Sequence, residues 1–597
     1  MLTSLYAVAQ SPAALSSAAP AKTLGIVTIN SGQPTSLPTQ IPTTIEGVTK
    51  EQIEQSINAT DSQDALKYFP SLLVRKRYIG DYNHAVLSSR ASGTGNSARS
   101  MVYADGILLS NYLGNGAAYT PRWGLVAPEE IERVDVLYGP FSAAYAGNSV
   151  GAVVDYVTRM PKQFEANAKL STFSQNFKLY GTDSTYGGTQ ASASLGNKNG
   201  DWSWFANVNR TQSASQPLVF ATRTLSAAAP AAGAQVVSGA AQGLNTTNTP
   251  IVILGGSTQY NTTQDHAKVK LAYDFTPTVR ASYALGYWKN TSENRSQSYL
   301  RNAAGTPVYS GNVSIDGRGY ALAAGNFGVA NESLQHVMHG LSVKSNTQGV
   351  FDWEVAASLY SYSKDQNRAA ITVQPGSLAG GAGTLTDQGG TGWSNLAVKG
   401  IWRPDGNKGP HIVDFGYQQD SYKLRILRSS IAGNYLQDAP SAVANDVGGK
   451  TQLRSLYAQD TWSFAPKWKT VLGGRLENFN TNNGFTTFGV GNVNNATYTA
   501  RSFIAVSPKA ALSYRRASDT VLKASTGRAA RFPTVADING FAYTGASKYF
   551  TTDVRVRFQS SKQVSMALGI DNLNNYPYWN FHPYPQRTLF AEAKFAL

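Results

Sequence analysis

The pattern of polar and apolar positions changes near Pro161. Beyond that residue, segments of about 9–11 residues alternate apolar or aromatic side chains with small or polar ones, which predicts tilted strands long enough to cross a bilayer. In Ala281–Lys289, apolar side chains alternate with Ser282, Ala284 and Gly286, and Trp288 stands at one end. Similar segments are Asp201–Asn209, Val350–Tyr360, Ser455–Phe464 and Val471–Phe479. The pattern favours a transmembrane antiparallel β-barrel.

The connections between these strands alternate in length. Long polar stretches are Gln212–Thr263, Thr291–Glu332 and Thr372–Trp393, and short turns are Asp274–Thr278, Asn346–Gly349 and Ala465–Lys467. Long loops at one end and short turns at the other are typical of outer-membrane barrels. A soluble β-sandwich or propeller is the alternative, but its strands would be apolar on both faces and would lack aromatic ends.

Residues 41–161 have a mixed α/β pattern. Val48–Ser56 has helical spacing, with Thr49 as N-cap and Gln52 in the capping-box position. Asp61–Phe69 predicts a second short helix, which begins at Asp61 and ends before Pro70. Strands are predicted around Met101–Tyr103, Val134–Leu137 and Gly151–Thr158, with a turn at Asp105 and Gly106. This segment is predicted to form one compact domain.

Residues 1–40 are rich in Pro, Ser, Thr and Ala and are expected to be extended or disordered. Ala7-Val8-Ala9 resembles an export cleavage site, although the start lacks a basic region and a full apolar core, so the signal is expected to be truncated here. Thr23–Ile29 is a short β-prone stretch, which is either an ordinary edge strand or a peptide that adds to the sheet of another protein.

Composition narrows the class of protein. The 597 residues include no Cys, 15% charged residues and a formal net charge of +15, with 32 Tyr and 55 Gly. The absence of Cys excludes a disulfide scaffold and thiolate chemistry. The basic residues are scattered, which suits a surface beside anionic lipid better than a nucleic-acid site.

No motif indicates an enzyme or a metal site. Of the six His residues, only His336 and His339 are close in sequence, and in a strand they would point to opposite faces. There is no GxSxG elbow, and Ser92–Asn96 lacks the Lys that a phosphate-binding loop requires. We therefore expect no catalytic residues, no metal site and no covalent cofactor.

The segment IERVDVLYGPFSAAYAGNSVGAVVDYVTR closely resembles the plug domain of TonB-dependent outer-membrane receptors, and so does SSRASGTGNSARSMVYADGILLS before it. LYAQDTW, GRAARFPT and IDNLNNYPYW resemble the barrel of that family. The resemblance covers nearly the whole chain. It implies structural positions in the plug at Arg90, Asp105, Gly106, Glu132, Arg133, Gly139, Pro140, Gly147 and Gly151.

The resemblance implies a barrel of 22 strands over residues 162–597, with the α/β plug of residues 41–161 inside the lumen. Residues 1–22 would be the residual signal or tail, and residues 23–40 would hold the coupling segment and a linker. The coupling residues would be Leu24, Gly25, Ile26, Val27, Thr28 and Ile29, which pair with TonB and its inner-membrane energising complex.

The implied location is the outer membrane, where a monomer would contact lipopolysaccharide and other lipid and would bind no nucleic acid. With so few residues before Thr23, we expect transport without an added signalling domain.

The chain departs from the family pattern in two places. About 16 strands can be counted where the family has 22, and few residues separate Pro533 from Asp571. The hypothesis is a loss of about six strands near Asp537–Thr551, by deletion or by a joining error in the sequence; the alternative is that long loops such as Gln212–Thr263 hide further strands. The chain also ends in Phe595-Ala596-Leu597 instead of an aromatic residue.

The plug contains aromatic, basic and acidic residues that could contact a ligand from outside the cell. The candidates are Tyr78, Asp81, Tyr82, His84, Tyr112, Tyr119, Arg122 and Trp123. Aromatic faces and Arg suit an anionic or catecholate-like iron chelate; alternatively, these residues pack the plug against the wall.

The expected function is uptake of a ferric siderophore or similar chelate. Cobalamin, thiamine or a saccharide are alternatives, and a passive porin or a barrel enzyme are alternatives from other classes.

Overall fold

The computed structural model describes residues 45–89, 98–116, 118–139, 142–245, 247–489, 491–516 and 521–538, with residues 573–574 and short strands between 554 and 595. The predicted coupling residues Leu24–Ile29, together with Arg90 and Pro140, lie outside the described residues. Among those described, no helix is long and apolar enough to cross a membrane.

The N-terminal domain contains a mixed sheet, a separate hairpin pair and short helices. Its strands are β1 (Ile45–Thr49), β2 (Leu72–Arg75), β3 (Val86–Ser89), β4 (Met101–Ala104), β5 (Ile107–Leu108), β6 (Ile131–Tyr138) and β7 (Ala152–Thr158). Its helices are α1 (Lys50–Ser56) and the 3₁₀ turns Ser62–Leu66, Trp123–Leu125 and Pro128–Glu130. The sheet order is β1-β6-β7-β4-β5, in which only β4 and β7 are parallel, and β2 pairs with β3. Both faces of β6 and β7 are mostly buried, so these strands form the centre of the domain.

Local sequence signals explain the ends of these elements. The predicted capping box is confirmed, because the Gln52 amide donates to Thr49 Oγ1 and the Thr49 amide donates to Gln52 Oε1 (2.9 Å). The predicted helix Asp61–Phe69 is only the 3₁₀ turn Ser62–Leu66. The backbone N–H groups of residues 60 and 61 both donate to the Asp64 carboxylate (2.8 and 3.1 Å), which caps the start of the turn. The amides of Lys67 and Phe69 donate to carbonyls three residues earlier, which is the 3₁₀ pattern.

The remaining strands form the barrel sheet and the structure of its loops. Up to residue 322 they are β8 (Glu165–Leu179), β9 (Thr182–Asn199), β10 (Trp202–Ala214), β11 (Val219–Thr224), β12 (Gln235–Val236), β13 (Ala241–Leu244), β14 (Pro250–Thr276), β15 (Val279–Ser298), β16 (Gly311–Ile315) and β17 (Arg318–Leu322). Next are β18 (Ala330–Ser345), β19 (Phe351–Ala370), β20 (Gly383–Asp387), β21 (Gly392–Trp402), β22 (His411–Ile431), β23 (Ala442–Ala465), β24 (Trp468–Thr487), β25 (Ala496–Tyr498), β26 (Arg501–Arg515) and β27 (Val521–Gly527). The last are β28 (Val554–Gln559), β29 (Val564–Asp571), β30 (Trp579–Asn580), β31 (His582–Pro583) and β32 (Thr588–Phe595). Short helices are 3₁₀ turns at Ala324–Phe327 and Gly376–Leu378, and α2 at Val535–Ile538.

Within the described residues, the large sheet is antiparallel and contains 17 strands, close to the 16 counted from the sequence. The long strands from β8 to β27 follow each other in chain order, while β11, β13, β20 and β25 are short additions at the long-loop end. A three-stranded sheet of β28, β29 and β32 follows, and β28 lies alongside β27. Residues 539–553, where the deletion was suspected, are outside the described part of the chain, so that hypothesis stays a prediction.

The predicted strand lengths were too short. Strand β14 has 27 residues, β23 has 24 and β22 has 21, because the strands continue past the apolar band into the long-loop end. The predicted loop Gln212–Thr263 contains β11, β12 and β13, so the idea that this loop hides further strands is confirmed for these short ones.

The two faces of the sheet differ in burial. In β15, Tyr283 and Leu285 are each 37% exposed, whereas Ala284 and Trp288 are buried. This confirms the predicted alternation, but Trp288 lies mid-strand on the inner face. The outer face carries exposed apolar side chains around the sheet, among them Leu170, Trp202, Leu341, Leu359, Leu456, Leu472 and Ile504.

Candidate functional site

The N-terminal domain lies inside the curved sheet and contacts successive strands of it. Gln190 of β9 donates to the carbonyl of Thr60 (2.6 Å), and Lys268 of β14 forms a buried ion pair with Glu130 (2.9 Å). Further round the wall, the Trp393 indole of β21 donates to the carbonyl of Leu108 (3.1 Å). The domain therefore fills the lumen, and any ligand that crosses the barrel must displace or pass it.

The first group of candidate residues is held mainly by contacts within the domain and with β14. Asp81 is 1% exposed and accepts two hydrogen bonds from the Arg77 guanidinium (2.9 and 3.0 Å). Tyr78 is buried, stacks on Tyr260 (6.0 Å between ring centroids) and bonds to Thr262 (3.1 Å). These contacts satisfy both side chains and favour the packing interpretation for them.

Tyr82 and His84 are half-buried. The Tyr82 hydroxyl donates to the carboxylate of Glu332 on β18, and its ring lies 5.5 Å from that of Trp288. Burial lowers the pKa of His84, and the nearby Arg77 lowers it further, so this imidazole is neutral at physiological pH.

The second group of candidates centres on Arg122. Tyr112 and Trp123 are buried, and their polar atoms donate to the carbonyls of Ser100 (2.7 Å) and Ala85 (2.9 Å). The Arg122 guanidinium lies 5.0 Å from the ring centroid of Tyr362 on β19 and also donates to its hydroxyl. Burial alone would lower the pKa of Arg122, but the tyrosines and Asp365 beside it raise that pKa, so the group is permanently cationic.

A narrow cleft lies between the domain and the wall. It is lined by four of the predicted residues, which are Asp81, Tyr82, Arg122 and Trp123, and by wall residues that include Gln264, Trp288 and Tyr360. Tyr78, His84, Tyr112 and the half-buried Tyr119 do not line it. The cleft offers aromatic faces, hydroxyl groups and the Arg122 guanidinium, together with the carboxylates of Asp61 and Asp81, which pair with Lys76 and Arg77. Such a set binds ligands by stacking and hydrogen bonding.

A row of rings on the inner wall faces this part of the domain; we name it the aromatic arc. Its members come from β15, β18, β19, β21 and β22 and are Trp288, His336, Tyr360, Tyr362, Trp393 and Tyr422. His336 stacks on Tyr362 (3.9 Å), and Tyr360 stacks on Trp393 (4.1 Å). The sequence interpretation missed these residues. The signal was present in β19, where two Tyr side chains two positions apart must lie on one face.

The next part of the wall, from β23 and β24, is polar; we name it the polar arc, and its members are Gln459, Arg475 and Glu477. The amides of Ala143 and Gly147 donate to Gln459 (3.0 Å) and Glu477 (2.5 Å), and Arg475 donates to the Ala143 carbonyl (3.1 Å). The wall thus binds the small-residue run after Gly139 through its backbone N–H and C=O groups.

The remaining positions implied by the resemblance lie in turns and ion pairs of the domain. Gly139 has a φ of 79°, and its amide donates to the carbonyl of Gly151 (3.0 Å). Arg133 pairs with Asp135 (2.7 Å), and Glu132 is exposed. Asp105 and Gly106 both have positive φ, as their turn requires, and Asp105 accepts from the Thr158 amide (2.9 Å).

Within the described residues, no group of three or more His, Asp or Glu side chains could hold a metal ion. His336 faces the lumen and bonds to Tyr360 (2.8 Å), whereas His339 faces outward and bonds to Tyr283 (2.9 Å). The expectation that this pair would lie on opposite faces is confirmed.

Two family models match the sequence. TonB-dependent Receptor Plug Domain matches residues 38–153, and TonB dependent receptor-like, beta-barrel, matches residues 287–548. A segment of 114 residues is 31% identical to the Vitamin B12 transporter BtuB of Vibrio vulnificus, and it spans 19% of this chain and 17% of that protein.

Solved structures share the fold at low sequence identity. The ferric citrate transporter FecA aligns with 93% of this chain and 74% of its own, with a TM-score of 0.61 and 14% identity. The ferric yersiniabactin uptake receptor FyuA of Yersinia pestis aligns with 89% and 72%, with a TM-score of 0.54 and 13% identity. The siderophore receptor PiuA of Acinetobacter baumannii also aligns with 89% and 72%, with a TM-score of 0.52 and 13% identity.

Proposed function

The chain belongs to the TonB-dependent receptors, and on that premise we propose that it takes up a ferric siderophore or similar metal chelate across the outer membrane. The observation that carries the proposal is the filled lumen. A plug held by hydrogen bonds and ion pairs to consecutive wall strands blocks passive flow, so transport requires work on the plug.

The outer surface supports a membrane location. Its exposed Leu, Ile, Val, Phe and Trp side chains would be costly in water but suit the apolar core of a bilayer. We infer that the chain is an outer-membrane protein which functions as a monomer.

We propose that Leu24–Ile29 couples the plug to TonB. Its last four residues, Ile26–Ile29, are all β-branched and favour an extended strand, and the stretch precedes the plug, so it can add as a strand to the sheet of a periplasmic partner. Force applied there would act on β1, the first strand of the plug sheet.

For ligand contact we favour Tyr82 and Arg122 among the candidates, because both are half-buried and line the cleft, whereas Asp81 and Trp123 are fully buried and Tyr78, His84, Tyr112 and Tyr119 do not line it. Arg122 supplies a fixed positive charge in a cleft with aromatic walls, which suits an anionic chelate.

The test is uptake of ⁵⁵Fe-loaded chelates, presented one at a time to cells that lack their own receptors and express this chain. Wild type should accumulate at least one chelate, and replacement of Leu24–Ile29 by a Gly/Ser sequence of equal length should abolish accumulation while leaving surface binding intact. Equal uptake by both proteins would contradict the coupling proposal. A large open conductance of the intact protein in planar bilayers would favour a passive channel instead.

Cobalamin is the second candidate substrate, because of the 114-residue match to a vitamin B12 transporter. Labelled cobalamin is therefore included among the ligands. Uptake of cobalamin with no chelate taken up would replace the first proposal.

A further inference from the structure

One tyrosine of the aromatic arc has a base as its direct hydrogen-bond neighbour. The Tyr360 hydroxyl lies 2.8 Å from His336 Nδ1, and His336 Nε2 lies 3.0 Å from the Asp365 carboxylate; we name these side chains the Tyr–His–Asp triad. An ionised carboxylate only accepts, so Nε2 carries the imidazole proton, and in the neutral ring Nδ1 accepts from the hydroxyl. Tyr360 and His336 are both buried, so solvent does not compete for this proton path.

The other tyrosines of the arc lack such a base. Loss of one electron makes a phenol a strong acid, so a tyrosine is oxidised readily only where a base within hydrogen-bond reach can take its proton. The Tyr362 hydroxyl accepts from Arg122 and Asn111, which are both donors. The Tyr422 hydroxyl has no hydrogen-bond partner among the described residues. Tyr360 is therefore the member of the arc that can lose an electron and a proton together.

Tyr360 also lies at the cleft and within a continuous row of rings. It lines the cleft with Tyr82 and Trp288. Its ring stacks on Trp393 at 4.1 Å between centroids, with 2° between the ring planes, and Trp393 lies 6.1 Å from Tyr422. Aromatic rings in contact exchange electrons readily, so an oxidising equivalent that reaches any of these rings can settle on the one that has the base.

A side chain that oxidation would damage lies beside the triad. The chain contains no Cys and five Met, so few sulfur groups compete for an oxidant. One of the five, Met338, is 1% exposed and lies directly opposite Tyr360 in the register of β18 and β19. Oxidation to the sulfoxide would make this buried apolar side chain polar and disturb its packing.

A second Tyr–His pair, on β15 and β18, lacks the features of the triad. Tyr283 bonds to His339 Nδ1 (2.9 Å) on the outer face, where Tyr283 is 37% exposed. In the part of the chain that the structure describes, no carboxylate bonds to His339 and no further ring lies against the pair. The outer pair therefore provides a matched control within the same protein.

We propose that Tyr360 is a redox-active tyrosine that gives one electron to oxidants of the hydroxyl-radical class, which iron and hydrogen peroxide generate. The oxidant is reduced to hydroxide, the phenolic O–H bond breaks, and the proton forms a new N–H bond at His336 Nδ1. The products are a neutral tyrosyl radical and an imidazolium whose charge Asp365 balances. A soluble one-electron reductant restores the tyrosine, since the resulting phenolate takes the proton back. The protective role at the cleft rests on the proposed function, because iron must reach it, whereas the oxidation step needs only an oxidant.

The test uses the full chain in detergent micelles, without any chelate, and a one-electron oxidant, ruthenium(III) trisbipyridine, that a light flash generates. Absorbance and electron paramagnetic resonance follow the tyrosyl radical. Wild type should show a fast phase of radical formation that is slower in D₂O, because a proton moves with the electron. Tyr360→Phe should lose this phase, and His336→Gln should slow it about 100-fold or more, since a positioned base contributes that much.

Further variants decide the assignment. Asp365→Asn should also slow the fast phase, which keeps the test open if His336→Gln does not fold. The matched control Tyr283→Phe should leave the phase unchanged. Survival of the phase in Tyr360→Phe would overturn the proposal, and so would its loss in Tyr82→Phe instead, because the Tyr82 hydroxyl also donates to a carboxylate.

A second experiment tests the protective role. The full chain in detergent is exposed to ferric nitrilotriacetate and hydrogen peroxide, and methionine sulfoxide is measured by peptide mass spectrometry. Tyr360→Phe should raise oxidation of Met338 severalfold and leave that of Met160, which is not part of the arc, unchanged. Equal oxidation of Met338 in wild type and variant would overturn the protective role. Neither experiment involves uptake, so failure of the proposed transport function would leave both results unchanged.

Discussion

The aromatic arc and the polar arc bind the same plug by different means. The aromatic arc meets large side chains, such as Tyr82, Tyr112 and Arg122, and binds them through ring faces and tyrosine hydroxyls. The polar arc contacts a loop of mostly small residues, which offers the wall backbone N–H and C=O groups instead of large side chains. A buried amide needs an acceptor, so the wall there supplies long polar side chains. The chemistry of each arc therefore follows from the size of the plug residues it faces.

The largest expected effect comes from breaking the polar arc at Glu477. Arg475 and Glu477 are each 1% exposed and their side chains lie 3.5 Å apart. Glu477→Ala would leave a buried cation without its carboxylate and the Gly147 amide without its acceptor, and it should destabilise the plug by about 3–5 kcal/mol. The measurement is hydrogen exchange of amides 142–150 in detergent. The control Glu293→Ala removes an exposed pair with Arg295 and should cost under about 1 kcal/mol; unchanged exchange in Glu477→Ala would refute the importance of the arc.

The second prediction concerns the close approach of the same loop to the segment after β27. A Cβ at Gly147 would collide with the ring of Phe532 and the carbonyl of Ala530, so Gly147→Ala should cost about 1–3 kcal/mol by overpacking. Gly474→Ala on β24 is the matched control, because a Cβ there meets no atom within 4 Å. Urea unfolding of both variants measures the difference, and equal midpoints would show that the loop can relax.

The third prediction tests the aromatic arc. Tyr362→Phe keeps the ring beneath Arg122 and beside His336 but removes the hydroxyl that accepts from Arg122 and Asn111. The expected loss is about 1–2 kcal/mol. Tyr283→Phe, which removes an outward hydroxyl bonded to His339, serves as control. If Tyr362→Phe matches that control, stacking alone holds this side of the plug.

The last prediction is a pH dependence at Asp155, a buried plug carboxyl that neither arc binds. Neither of its oxygens has a hydrogen-bond partner among the described residues, and burial raises its pKa well above the usual value, with Asp105 and Asp135 adding to the rise. Because the folded pKa is raised, the stabilising contribution is complete below the unfolded pKa of about 4 and is lost as pH rises through the folded pKa, with a slope of at most about 1.4 kcal/mol per pH unit. Asp155→Asn should reduce the dependence of plug stability on pH, measured between pH 4 and 8. An unchanged slope would mean that another titrating group causes this dependence.

The elements that could be predicted from the sequence are those that depend on residues close together in the chain. The capping box at Thr49 and the turn at Asp105 and Gly106 depend on residues a few positions apart, and the alternation in β15 depends on period two alone. For the candidate cleft, the sequence predicted residues on the plug side only. Asp81, Tyr82, Arg122 and Trp123 could be selected as polar and aromatic plug residues, whereas their wall partners lie more than 130 positions away in the sequence.

The sequence by itself determined that the chain would form many antiparallel strands with an apolar outer face behind an α/β domain, because strand period and turn residues are local properties. Only the tertiary structure decided which rings form the aromatic arc and which side chains bind the small-residue loop. These groupings depend on strand register. A shift of one residue would turn every side chain to the other face, and register is fixed by packing against the plug and by pairing along the whole sheet.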